Sequence, residues 1–191
     1  MPRPLIAFAA VALLAAANAA PALALGVGIS DQQAGSLADS RLSGLGLRYA
    51  RLIVPWDAAT SEPATVQAWL AAAAADGMQP HIAFEHLPHQ TCPGRSCYAP
   101  TPGQYGAAVR QFIARFPQVR TYTTWNEANH ESQPTASSPQ VVAAYYDQLR
   151  AACATCTVVA ADVIDSGSFV QYLQRFRQTA AGNPQLFGLH N

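Results

Sequence analysis

About two-thirds of the way along the chain, Trp125-Asn126-Glu127-Ala128-Asn129-His130 follows the β-branched stretch Thr121-Tyr122-Thr123-Thr124. An indole, an amide and a carboxyl group stand at consecutive positions. Glu127 can give or take a proton, Asn126 can hold a hydroxyl, and Trp125 offers a flat apolar surface. Breaking a glycosidic bond needs such a set: an acid for the leaving oxygen, an amide on a sugar hydroxyl, and an aromatic ring against the apolar face of a pyranose. Polar residues stand in or after other apolar runs: Arg51, Glu85-His86, Asp162 and His190. Plainer roles compete for each. Asn-Glu after a strand also suits a loop and helix cap, and Arg51 a buried ion pair. His81 suits a hydrogen-bonded strand position, and His86 and His89 a solvated loop.

The elements that must position these groups alternate. Short β-branched apolar runs at 25–29, 49–54, 79–84, 121–125, 157–161 and 186–189 read as strands. Alanine-rich amphipathic stretches at 35–45, 63–75, 102–116, 139–152 and 168–181 read as helices. Ser61-Glu62-Pro63, Thr101-Pro102 and Ser138-Pro139 set capping residues beside prolines suited to a first helical turn. The near-continuous apolar strands predict a parallel sheet covered on both faces, with right-handed crossovers. A doubly wound open sheet and a (β/α)8 barrel both fit. The glycines of Gly26-Val27-Gly28 begin like a dinucleotide fingerprint but lack its third glycine. No GxSxG elbow supports a serine hydrolase.

Composition narrows the functional classes. The 191 residues suit one domain, and half are hydrophobic, which excludes a disordered chain. Eleven basic residues balance eleven acidic ones, giving no reason to expect a nucleic-acid or anionic-membrane partner. All the basic residues are arginine, so Schiff-base and P-loop lysines are excluded. Met1-Pro2-Arg3, the apolar run at 5–17 and small-residue cleavage patterns before residue 25 predict a secretory signal peptide over 1–24 and a domain over 25–191. The cysteines fall in two local pairs, Cys92 with Cys97 and Cys153 with Cys156. In an exported protein these predict two short-loop disulfides in preference to a zinc site. No metal or other cofactor is expected.

At residues 125–129 the sequence resembles glycoside hydrolase clan A, the retaining (β/α)8 enzymes that include families 5 and 39. There the fourth strand ends in Asn-Glu, often as W-N-E-P-N, and Ala128 stands here in place of the proline. The resemblance implies that Glu127 is the general acid/base and that Asn126 binds the sugar 2-hydroxyl. It implies that Arg51 braces the catalytic carboxylates and that His190 closes the sixth strand beside the site, with Trp125 near the substrate. The clan's nucleophile is a second glutamate at the end of the seventh strand. Steps of about 32 residues between strand starts give six strands here, against about 250 residues for a whole barrel. The expectation is an incomplete α/β barrel of about six parallel strands, weak or inactive alone and prone to self-association through its open edges. A carbohydrate-binding barrel relative without catalysis is the alternative.

Overall fold

The computed structural model describes residues 26–87 and 98–191. The leader expected at 1–24 lies outside the described residues, and so do His89, Cys92 and Cys97. Strands β1 (Gly28–Ser30), β2 (Tyr49–Pro55), β3 (Gln79–Glu85), β4 (Thr121–Thr123) and β5 (Thr157–Val159) pair in that order, all parallel, as a five-stranded sheet. A further parallel pair joins β6 (Asp162–Ile164) to β7 (Gly188–His190). Backbone bonds splice the two sheets: Asp162 N–H donates to the Trp125 carbonyl, and Gly188 N–H to the Ala161 carbonyl, each at 3.0 Å. The fifth strand expected over 157–161 is therefore jogged into β5 and β6, with Ala160-Ala161 at the break.

The strand order never reverses, which removes the doubly wound alternative. The arrangement is an incomplete (β/α)8 fold, as the sequence predicts. Between strands run α1 (Ala34–Leu37), α2 (Ser40–Ser43), α3 (Ala58–Ser61), α4 (Pro63–Ala75), α5 (Pro102–Arg115), α6 (Pro139–Ala152) and α7 (Phe169–Thr179). The single first helix expected at 35–45 is instead two short ones, because the Asp39 carboxylate caps a new start by accepting from Arg41 N–H. Of the three expected caps only Thr101 closes a capping box, with Gln104. Glu62 and Ser138 make no side-chain cap bond. Among the described residues no helix is long and apolar enough to cross a membrane.

The core lies between the sheet and its helices. In α4, Val66, Trp69, Leu70 and Ala73 recur at helical spacing and are buried; Tyr105, Val109 and Phe112 do the same in α5. They meet the outward row of the strands: Ala50, Leu52, Val54, Ile82, Phe84 and Tyr122. Phe84 packs edge-on to Phe112 and Tyr105 with centroids 5.3 and 5.9 Å away. Each such ring contributes about 1.5–3 kcal/mol by burial.

The expectation that both strand faces are covered does not hold. Along β2 burial alternates, with Ala50, Leu52 and Val54 buried and Tyr49, Arg51 and Ile53 partly open. The inward row faces the barrel interior and carries the polar groups Arg51, His81, Glu85 and Thr123. Residues in register share a face, so Arg51 stands beside Ser30 and His81, and His190 beside Ile164.

Candidate active site

The polar groups meet where β2, β4, β6 and β7 end or bend inward. Glu127 follows β4 in a tight turn that gives it φ +44°, a left-handed backbone that a residue with a Cβ adopts only under constraint. The constraint is visible. Ala128 N–H donates to the Asp162 carbonyl at 2.8 Å, and His130 N–H donates to the Glu127 carbonyl at 2.8 Å. Asn129 staples the turn to β6, its Oδ1 accepting from Ile164 N–H at 2.8 Å and its Nδ2 donating to the Ile164 carbonyl at 3.0 Å. The second asparagine of the run thus has a mechanical role.

The turn leaves the Glu127 side chain 34% exposed, with Oε1 3.1 Å from His190 Nδ1. Asn126 is nearly buried, and its amide is oriented from both sides. Arg51 Nη2 donates to Asn126 Oδ1 at 2.8 Å, and Asn126 Nδ2 donates to Glu85 Oε2 at 3.3 Å. Arg51 Nη2 also donates to Asp162 Oδ2 at 2.5 Å, and Thr123 Oγ1 donates to Asp162 Oδ1 at 3.4 Å. His190 Nε2 lies 3.7 Å from Asp162 Oδ2. One connected array therefore brings together Glu127, Asn126, Arg51 and His190, the residues singled out in the sequence.

Trp125 is not part of the exposed surface, which corrects its assignment as a substrate-facing residue. Its indole is fully buried, packed on Tyr145 with centroids 5.3 Å apart. Regular alternation from Thr123 would point Trp125 inward, but β4 stops at Thr123 and the irregular backbone beyond it turns the ring toward the helices. Its contribution is indirect. Trp125 Nε1 donates to Gln133 Oε1 at 2.9 Å, and the Gln133 side chain hydrogen-bonds Glu85.

Glu85 and Asp162 are the site carboxyls given no assigned role by sequence reasoning. Burial pushes the Glu85 carboxyl above its ordinary range and the Glu127 charge adds to the rise, while His86, Asn126 and Gln133 oppose it. A cleft of about 340 Å³ opens beside Glu85, lined by Gln32, Ile53, Pro55, Glu62 and Thr65 among others. Asp162 carried a readable signal: one charge inside the apolar run Val158-Val159-Ala160-Ala161-Asp162-Val163 demands a buried partner, and Arg51 supplies it. Deeper in the barrel, His81 Nε2 sits 2.8 Å from Thr123 Oγ1. Burial lowers His81 to about 4, with Arg51 adding to the fall and Asp162 opposing it, so the ring is neutral at pH 7. Of the two disulfides expected from the sequence, Cys153 and Cys156 form one, just beyond α6. The other, between Cys92 and Cys97, falls outside the described residues.

No protein-family model matches the sequence, and no curated protein matches it. Solved structures do resemble the fold. The catalytic domain of a mannanase from Streptomyces sp. SirexAA-E superposes with a TM-score of 0.55 at 16% identity, over 81% of this chain and 52% of its own. A β-mannanase from Streptomyces thermolilacinus, solved with mannohexaose, gives 0.54 at 18% identity, over 82% of this chain and 55% of its own. Saccharomyces cerevisiae Gas2p in complex with laminaripentaose gives 0.51 at 16% identity, over 87% and 41%. The chain spans about half the length of these structures or less. At such identities the likeness establishes a shared fold, the one found in these glycoside hydrolases.

Proposed function

We propose that this chain carries the acid/base portion of a retaining β-glycosidase site, exported to the cell exterior behind the leader at 1–24. Glu127 is the proton donor to the leaving oxygen and, in the second half-reaction, the base that activates water. Asn126, its carbonyl oxygen engaged by Arg51, turns its Nδ2 toward Glu85, and that amide is the group that would donate to a sugar hydroxyl. His190 steers Glu127 through the Nδ1 contact. The observation that carries this reading is Glu127 itself: a partly exposed carboxyl on a left-handed backbone at the end of the fourth strand, where a barrel of this type places its chemistry. The ligands of the fold neighbours suggest β-linked mannan or laminarin-type oligosaccharides as the first substrates to try.

A second reading is favoured by one specific observation. A retaining mechanism needs a partner carboxyl about 5–5.5 Å from the acid. Of the carboxyls around Glu127 among the described residues, Asp162 is tied to Arg51 and Glu85 is bonded to Asn126 and Gln133. A barrel that binds saccharides without turning them over fits that feature.

The experiment pairs wild type with Glu127→Gln on aryl β-glycosides, mannohexaose and laminaripentaose. Turnover by wild type that falls about 10²- to 10⁴-fold in the variant, with binding kept, supports the glycosidase reading. Equal binding by both proteins without turnover supports the second. Absence of saccharide binding by either overturns both.

A further inference from the structure

Several of the contacts around the candidate acid converge on Asp162. Its backbone grips the Glu127 turn at two points, donating to the Trp125 carbonyl at 3.0 Å and accepting from Ala128 N–H at 2.8 Å. Its side chain, 4% exposed, takes Arg51 Nη2 at 2.5 Å, with His190 Nε2 3.7 Å away. Thr123 Oγ1 approaches the other oxygen at 3.4 Å. Across the strand pair β7 carries Gly188, where an added Cβ would stand 1.9 Å from Asp162 Oδ1. The carboxylate thus occupies the space a side chain on β7 would otherwise fill.

We propose that Asp162 is a positioning residue of this site, taking up the charge of Arg51 so that Asn126 and Glu127 remain available to the saccharide. The proposal rests on the glycosidase reading of Glu127. A guanidinium satisfied by one close carboxylate is held in place and competes less for other acceptors. Asn126 bridges Arg51 to Glu85, and Glu127 is the next residue along the chain. Released from Asp162, Arg51 would keep only the neutral acceptors Asn126 Oδ1 and Ser30 Oγ among its described partners, and its uncompensated charge would be drawn toward Glu127 and Glu85. Asp162 touches no ligand in this scheme. It acts through Arg51 and His190, which in turn hold the amide and the acid.

Two variants perturb the pair differently in the full chain. Asp162→Asn keeps the shape and removes the charge, while Gly188→Ala keeps the charge and displaces the carboxylate. Nitrogen-15 spectra of the Arg51 guanidinium and the His190 ring provide a readout independent of activity. In wild type the Arg51 Nη signals should show restricted rotation at low temperature. In both variants they should collapse to the averaged line of a mobile guanidinium, with the His190 ring signals displaced. Kinetics should show kcat reduced about 10- to 100-fold with KM within roughly threefold, the pattern of a misplaced catalytic group in a site that still binds. A freely rotating Arg51 in wild type overturns the proposal, whether or not the variants fold. So do unchanged Arg51 and His190 signals in Asp162→Asn, or wild-type kcat in that variant. If wild type turns over no glycoside, the glycosidase reading fails by itself, and the nitrogen spectra alone decide whether Asp162 fixes Arg51.

Discussion

Acidification should destabilise this protein through His81, and the size of the effect follows from its surroundings. The ring lies on the inward row of β3, bonded to Thr123, with Arg51 in register beside it. Thr123 donates to Asp162, so His81 Nε2 carries the hydrogen that Thr123 accepts. A second proton on the ring would place a charge in a largely desolvated site, a cost that Asp162 offsets in part and Arg51 adds to. The folded ring therefore titrates at about 4 against an ordinary 6.5. Because the folded value is depressed, the unfolded chain binds the proton first, and stability is lost as pH falls from 6.5 toward 4. At about 1.36 kcal/mol per unit the full loss is about 3 kcal/mol, with about 1 kcal/mol gone by pH 5.5 and about 2.5 by pH 4.5. His81→Gln keeps an amide donor for Thr123 and cannot titrate. Urea unfolding of both proteins at pH 7, 5.5 and 4.5 isolates this one group, since Glu85 and Glu62, whose raised values act in the opposite sense, cancel between them. The stability of wild type relative to His81→Gln should fall by those amounts. A difference that stays level from pH 7 to 4.5 refutes the argument that the ring is held neutral by its site.

Three further outcomes are expected. Glu127→Asn should abolish any turnover yet raise the unfolding free energy by up to about 1 kcal/mol, since asparagine tolerates the left-handed backbone; a loss of similar size would mean that the turn stores no strain. Thr101→Ala should cost about 1 kcal/mol in denaturant melts through loss of its capping box, whereas Ser138→Ala, which removes no cap bond, should stay within about 0.5 kcal/mol. Among the described residues β1 pairs only with β2 and β7 only with β6, and Leu189 is 56% exposed. Sedimentation should therefore reveal self-association at micromolar concentration, relieved by Leu189→Glu; a monodisperse monomer would show that these edges are shielded.

The fold was readable because its punctuation is local. Proline at the first turn opens α4, α5 and α6, and the apolar spacing of Val66, Trp69, Leu70 and Ala73 marks the buried stripe of α4. The jog between β5 and β6 was not readable, since Ala160-Ala161 is as apolar as the strands it separates and only pairing with different neighbours reveals the break. The alternating burial of β2 was hidden for a similar reason: Ile53 looks like a core residue, although its row faces the interior. In the site, Glu127, Asn126 and His190 stood out at or just beyond strand ends, and Arg51 as a lone charge within the apolar second strand. Trp125 was misplaced because a strand that stops two residues early reverses the expected facing. Glu85 and Asp162 escaped assignment because their importance lies in partners 41 and 111 residues distant in the chain.

The aromatic layer outside the sheet and the polar array inside it share strands but hardly share side chains. Phe84, Tyr122 and Phe112 secure the architecture from behind, while Arg51, Asn126 and Asp162 are threaded on the same backbone facing forward. Such a wall can be redecorated on its inner side with little penalty to its masonry. Replacing a partly open forward-row residue such as Ile53 should therefore leave the barrel wall standing.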